Sequence, residues 1–471
     1  MKPGGIHSGD NVDGFTIGEL VYSRGMANLW SVTYPDYDIP LLMKIPMIGE
    51  GDDPAAIVGF EMEQMIMPRI TGRYVPKFIA NGNFMVMPYI VMEWVQGTSL
   101  FARLKELPLP ASEVAEIGAR IADALDDLHS QHVVHLDIKP SNIIMRDNGD
   151  AVLIDYGLSH HNQFPDLMQE QFHLPYGTAP YMAPEQLLGT RTDYRSDLFA
   201  LGVLMYFFAT GERPFGNPQR FKGMKRRLWR DPVPPRKLRP EIPEALQEII
   251  LRCLEVNPAW RYPTAAQLAL DLRNLNSVKL TARAHKMKRD PWRDVIRRRF
   301  NPIPLETVKP SVVEAQRANA PIILVAIDLN EQSAALASAL RQCVERTLFN
   351  VPDARIACLN VLKVNRIAMD SSLDEKGRNK HVLRLAELKA WAQGLETNGD
   401  AVTFHVLEAV SASEALLEYA RKNRVNHIVM GARAESTMRS MLGSVSGAVA
   451  AHAPCSVTVV RSRNFEAEIV S

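Results

Sequence analysis

The stretch "VVHLDIKPSNII" (133–144), followed by "VLIDYGLS" (152–159) and "GTAPYMAPEQ" (177–186), decides how the first half of this chain is read. It gathers two carboxylates, Asp137 and Asp155, an ammonium, Lys139, and an amide, Asn142, into a loop-rich segment, 137–185. That segment interrupts a zone of helical period from about 111 to 278. Each piece alone is a moderate signal; in this order and spacing the three are a specific one. N-terminal to the zone, residues 12 to about 110 carry short β-like runs and one helical segment, "AAIVGFEMEQMIMPRI" (55–70). C-terminal to it, "TARAHKMKRDPWRDVIRRRFNPIPLETVKP" (281–310) is rich in Arg and Lys and punctuated by proline. It reads as a basic linker, with a docking patch for phosphate, nucleic acid or an acidic surface as the alternative. From 321 the rhythm changes. "PIILVAID", "EQSAALASALRQCVERTL", "ARIACLNVLKV" and the runs after them alternate strand and helix, the pattern of a parallel sheet with helices on both faces.

A chain of 471 residues exceeds one ordinary core, so two or three domains are expected. The composition, 46% hydrophobic and 23% charged, is that of a soluble globular protein, and a formal net charge of +1 gives no overall pull toward nucleic acid or membrane. Cys253, Cys343, Cys358 and Cys455 lie far apart with neither CxxC spacing nor a disulfide framework, which suits a reducing cytoplasmic compartment. The N-terminus lacks the apolar stretch of a secretory signal. The run "LFALGVLMYFFATG" (198–211) is shorter than the roughly 18–20 residues needed to span a bilayer, and reads as a buried helix. A cytoplasmic protein with no membrane and no nucleic-acid partner is expected.

The three motifs resemble those of the protein kinase superfamily, and "DIKPSN" looks like its Ser/Thr branch, as in bacterial kinases of eukaryotic type. The resemblance covers about residues 12–278 and implies a two-lobed α+β fold, with an N-lobe to about residue 93, ATP and Mg²⁺ as cofactors, and protein Ser/Thr hydroxyls as acceptors. It implies that Asp137 orients and deprotonates the acceptor hydroxyl and that Lys139 neutralises the transferring phosphoryl. Asn142 and Asp155 would hold the metal through hard oxygens. Such charges placed in line suffice, because the reaction asks little covalent help of the protein. In "LLMKIP", Lys44 matches the phosphate-binding lysine; its carboxylate partner is Glu63, with Glu61 the alternative. "YIVMEWVQG" resembles the adenine-binding hinge, with Met92 as gatekeeper and the backbone of Glu93 and Val95 at the adenine edge. Glu185 is expected to pair with Arg261, Asp197 to anchor the catalytic loop, and Thr178 to close the substrate segment.

Two departures stand out. The family's G-x-G-x-x-G lid places Tyr22, Arg24 and Ala27 of "YSRGMANLW" on its glycine positions, leaving Gly25 beside them. Fewer glycines mean a stiffer lid with fewer free amides over the phosphates; Arg24 either supplies a cation there or points to solvent. The second departure is Leu136, where the family commonly has an arginine that pairs with a phosphorylated activation loop. The loop "SHHNQFPDLMQEQFHLPYGT" (159–178) offers only Ser159 and Thr178 as Ser/Thr hydroxyls, so independence from loop phosphorylation is expected. Its histidines, His160, His161 and His173, read as surface residues rather than metal ligands.

"PIILVAIDLNEQ" (321–332) and "VMGARAESTMRSMLGSVSGAVAAHAPCSVTVVR" (429–461) resemble the universal stress protein family over about residues 319–463. Its phosphate motif, G-x2-G-x9-G-[ST], falls on Gly431, then Ala434 in place of a glycine, then Gly443 and Ser444, one residue short. The resemblance implies a doubly wound α/β domain. In it Asp328, Ser444 and Ser446 would face a nucleotide at a helix N-terminus, and the last strand would pair subunits into a homodimer. The chain thus divides into a tail (1–11), a kinase domain (12–278), a basic linker (279–318), a stress-protein domain (319–463) and a C-terminal tail (464–471). The function implied is a Ser/Thr protein kinase whose second domain dimerises it or senses nucleotide; a pseudokinase scaffold, or a nucleotide-binding regulatory module without phosphotransfer, are the alternatives.

Overall fold

The computed structural model describes residues 6–24, 27–47, 54–83, 87–172, 175–308, 320–329, 334–351, 354–364, 379–393, 395, 402–432 and 443–461. The first lobe is a six-stranded antiparallel sheet. Its strands are β1 (Asn11–Val12), β2 (Phe15–Arg24), β3 (Ala27–Tyr34), β4 (Tyr37–Pro46), β5 (Phe78–Asn81) and β6 (Ile90–Glu93), in the order β1-β2-β3-β4-β6-β5. Side chains alternate across a strand, so burying Leu41, Met43 and Ile45 against Phe15, Ile17 and Val91 turns Lys44 to the opposite face. Helix α1 (Pro54–Ile66) packs on that face.

The second lobe is built on helices α2 (Ala111–Ser130), α4 (Arg195–Thr210), α5 (Glu244–Cys253) and α6 (Ala265–Arg273). Helix α4 is apolar on all sides because α2 and α5 enclose it, and Gly211, at φ 75°, ends it in the left-handed conformation that glycine adopts without cost. The short strand β7 (Thr98–Ser99) precedes α2, and between α2 and α4 run β8 (Val133–Val134), β9 (Ile143–Met145), β10 (Ala151–Leu153) and β11 (His160–His161), then helix α3 (Leu167–Gln171). Strand β11 pairs with β8, and His160 and His161 are buried. The expectation that they are surface residues is therefore corrected: the β8 ladder draws them inside, where His160 Nδ1 lies 3.3 Å from Asp166.

Residues 281–308 lie along the second lobe. Thr281 and Arg283 bind Glu248, Arg283 also binds Glu255, and Lys286 and Arg298 converge on Asp231 and Asp290. The segment contains helix α7 (Trp292–Phe300), and the amide of Val308 donates to Asp193 at 2.9 Å. Part of the basic run thus docks on an acidic surface of its own chain.

The C-terminal domain is a five-stranded parallel sheet of β12 (Ile322–Ala326), β13 (Arg355–Lys363), β14 (Val402–Ala409), β15 (His427–Gly431) and β16 (Ser456–Val460), in the order β14-β13-β12-β15-β16. Helices α8 (Ala334–Asn350) and α9 (Lys380–Ala392) cover one face; α10 (Ala412–Lys422) and α11 (Ser444–His452) cover the other. Strand order reverses between β12 and β15, which opens a crevice at their C-terminal ends. Among the described residues no helix is long and apolar enough to cross a membrane.

Candidate active site

The catalytic loop is fixed from below. Asp197, fully buried at the start of α4, accepts the backbone amides of His135 and Leu136 at 2.8 Å each, and the His129 ring at 2.9 Å. Leu136 sits at φ 63°, a left-handed conformation that is costly for a branched side chain. The Asp197 bond and a donation from Gln186 Nε2 to the Leu136 carbonyl, at 3.0 Å, hold it there. Asp155 is likewise left-handed, at φ 70°, so both segments carry backbone strain of the kind that clusters at functional sites.

On this platform the side chains converge. Asn142 donates from Nδ2 to Asp137 Oδ2, and Lys139 Nζ donates to the same oxygen at 2.6 Å. Asp137 Oδ1 accepts the Thr178 hydroxyl at 2.7 Å and its amide at 3.1 Å, while Lys139 lies 3.1 Å from the Thr178 oxygen. The amide of Ile154 donates to the carbonyl of Asn142, which sets Asp155 beside Asn142. Across the cleft, Lys44 Nζ donates to Glu63 Oε2 at 2.6 Å and to Asp155 Oδ1 at 2.9 Å. Burial alone would lower the Lys44 pKa, but the charges of Asp155 and Glu63 more than offset it and hold the ammonium above its ordinary range. The same ammonium holds the Asp155 carboxyl down at about 2, although its side chain is 45% exposed toward the cleft. Helix α1 meets the segment behind Asp155 backbone to backbone, since a Cβ on Gly59 would come within 3.1 Å of the Gly157 carbonyl.

Other residues singled out in the sequence fall as follows. Glu185 and Arg261 form a bidentate pair at 2.6 and 2.8 Å with neither side chain exposed. Met92 lies on β6 opposite Leu42; the Glu93 amide donates to the Lys77 carbonyl at 2.8 Å, its carboxylate pairs with Arg146, and Val95 is buried. Glu61 points away from Lys44 and pairs with Lys389 of the second domain at 2.6 Å. The lid strands stay paired to the Arg24–Ala27 register. Gly25, the Arg24 side chain, Ala434 and His173 lie outside the described residues. In the second domain, Asp328 follows β12 and Gly431 ends β15, so both stand at the crevice where strand order reverses. Gly443 caps α11, whose first residue is Ser444, and the buried Ser446 donates to the Gly443 carbonyl at 3.1 Å.

Sequence reasoning missed three supporting groups. Tyr156 donates to the Leu153 carbonyl at 2.8 Å from a fully buried position, Gln186 binds Leu136, and Ser159, fully buried, donates to the His135 carbonyl at 3.1 Å. The available signal was their adjacency to the motif residues.

The geometry agrees with the comparisons. Residues 59–271 match the protein kinase domain model, and residues 320–461 match the universal stress protein family. A probable serine/threonine-protein kinase of Clostridium perfringens is 30% identical over 233 residues, 49% of this chain and 32% of that protein. The serine/threonine-protein kinase Pkn1 of Myxococcus xanthus is 36% identical over 204 residues, 42% of this chain and 29% of that protein. The kinase domain of PknI from Mycobacterium tuberculosis aligns over 57% of this chain and 100% of its own length, at 21% identity and a TM-score of 0.45. The chain spans about a third of the length of these two curated relatives. The N-terminal part of this chain is thus similar to protein kinase domains and its C-terminal part to the universal stress protein family.

Proposed function

We propose that this chain is a protein-serine/threonine kinase that transfers the γ-phosphoryl of ATP to hydroxyls of protein substrates. The observation that carries the reading is the Thr178 hydroxyl, which donates to Asp137 at 2.7 Å while Lys139 stands 3.1 Å from its oxygen. A protein alcohol already fits between the carboxylate that would take its proton and the ammonium that would balance the incoming phosphoryl. Lys44, held by Glu63, is aimed at the cleft where the phosphates of ATP would lie. The Asn142 amide nitrogen is committed to Asp137, which leaves its oxygen, with the cleft-facing Asp155 carboxylate, as hard donors suited to magnesium. The cation would supply charge neutralisation at the phosphates. Incubating the full chain with γ-labelled ATP and magnesium tests the reading: transfer to a protein acceptor that Asp137→Asn abolishes supports it, and transfer unchanged in that variant contradicts it.

For the second domain, the placement of Asp328 and Gly431 at the crevice favours nucleotide binding. Among the described residues its last strand, β16, is a sheet edge, the position from which pairing with a second copy would run. Sedimentation of the full chain with and without ATP separates these roles. A mass that doubles supports dimerisation; a monomer at all concentrations counts against it.

A further inference from the structure

The C-terminal domain does not hang free of the kinase lobes. Glu170, on α3 of the activation segment, inserts its carboxylate among three side chains of that domain: Arg355 Nη1 at 2.8 Å, His405 Nε2 at 3.3 Å and the Tyr419 hydroxyl at 3.3 Å. Lys422 and Asn423 donate to backbone carbonyls of Glu170 and Phe172, and Gln171 Nε2 donates to the Val406 carbonyl at 2.8 Å. Burial would raise the Glu170 carboxyl, but the His405 hydrogen bond and the Arg355 charge outweigh it and keep it below its ordinary value.

A second contact engages α1. Ile57 and Phe60, both buried, belong to the same apolar cluster as Leu340, Leu388 and Trp391 of the C-terminal domain. On the same helix, Glu61 pairs with Lys389 at 2.6 Å. Glu61 and Glu63 are two residues apart, about 200° around a helix. One therefore faces the C-terminal domain while the other faces Lys44. Through Gly59, α1 also bears on the Asp155–Gly157 segment. The C-terminal domain thus grips the two elements that must be placed for Lys44, Asp155 and Asp137 to converge.

The usual device for ordering an activation segment has no foothold here. Leu136 replaces the arginine that would receive a loop phosphate, Ser159 is buried on the His135 carbonyl, and the Thr178 hydroxyl is engaged by Asp137. A fixed carboxylate, Glu170, meets an arginine supplied by the other domain instead.

We propose, resting on the kinase reading above, that the C-terminal domain is the intramolecular activator of this kinase. By binding Glu170 and Glu61 it holds α3 and α1 in the catalytic arrangement and so replaces activation-loop phosphorylation. Whatever loosens the domain from this seam lowers phosphoryl transfer.

The test uses the full chain, with rates of transfer from γ-labelled ATP to a protein acceptor and amide hydrogen exchange measured on the same preparations. Lys389→Glu and Glu61→Lys each place like charges at the α1 contact, and the double variant restores an opposite pair in reversed order. Each single variant is expected to lose about tenfold or more in kcat with faster exchange in residues 54–66 and 167–172, and the double variant to recover most of both. Glu170→Gln provides an independent arm through α3, with the same losses expected and Tm used to verify folding. Single variants as fast as wild type, or faster, overturn the proposal. Asp137→Asn in the same assay keeps the two readings apart. If wild type itself shows no transfer, the kinase reading fails and the activating role with it. If wild type transfers label and the seam variants match it, the activator proposal alone fails.

Discussion

The cleft between the kinase lobes and the crevice of the C-terminal domain are both candidate nucleotide sites, and they are built on different principles. In the cleft the charged side chains are locked by buried partners, Asp197 under the 135–137 loop, Glu63 beside Lys44 and Asn142 on Asp137, with the partly exposed Lys139 on Asp137 as well. In the crevice the described contributors are one exposed carboxylate, Asp328, and glycines at strand and helix ends, Gly431 and Gly443. A site of the first kind is preorganised before ligand arrives, which is what transition-state stabilisation requires. A site of the second kind offers backbone amides and a helix N-terminus, enough to bind an anion. The proposed phosphoryl transfer draws on a site of the first kind, and the proposed nucleotide binding of the second domain on one of the second kind.

The largest effect is expected at the cleft. Asp155→Asn removes the cleft-facing charge paired with Lys44 and should lower phosphoryl transfer by about 10²–10³-fold, read from initial rates at saturating ATP. Transfer within a few-fold of wild type would erase the contrast. Next comes the scaffold beneath it. Glu185→Gln breaks one side of a pair with no solvent exposure and should cost about 3–5 kcal/mol in urea unfolding. Transfer per folded molecule should change little, because neither residue touches the reacting groups. In the crevice, Asp328→Ala should weaken ATP binding that persists in an Asp155→Ala background by about tenfold, the worth of one charge-assisted hydrogen bond. Calorimetry on the full chain checks it, and no residual heat in that background would reduce the crevice to a structural feature.

The smallest effect concerns pH. Because Lys44 depresses the Asp155 carboxyl from 3.8 to about 2, its stabilisation is fully present above the ordinary value and is lost as pH falls through about 2. The carboxylate is partly solvent-exposed, so the magnitude is modest. The difference in unfolding free energy between wild type and Asp155→Asn should therefore shrink between about pH 4 and pH 2. A gap that widens there would contradict the assigned charge state.

What the sequence disclosed follows the same division. Local order along the chain carries Asp137, Lys139, Asn142 and Asp155, so their gathering into one loop cluster was legible without coordinates, and alternating β-branched runs announced the parallel sheet. Glu63 was separable from Glu61 only as a preference, because the choice depends on which side of α1 faces the sheet. The interdomain seam was not legible. Glu170 is one of several polar residues in a loop, and its meaning comes from Arg355, His405 and Tyr419, more than 180 residues away. One trace of it was present in "AAIVGFEMEQMI", where apolar residues extend beyond a single face of the helix. Apolar residues beyond one face call for a second cover, and here it is the C-terminal domain, which packs on Ile57 and Phe60. Docking of the basic run was legible only as an alternative, for a related reason, since Arg283, Lys286 and Arg298 look solvated until their carboxylate partners on the second lobe are known.

The central claim, that a cleft with a glycine-poor lid still performs phosphoryl transfer, is tested most directly by phosphoamino-acid analysis. A protein acceptor would be incubated with the full chain, γ-labelled ATP and magnesium. Label on serine and threonine is expected, and it should disappear in Asp137→Asn while that variant keeps the wild-type melting temperature. Label that survives in Asp137→Asn, or no label at all from a folded wild-type chain, would contradict it.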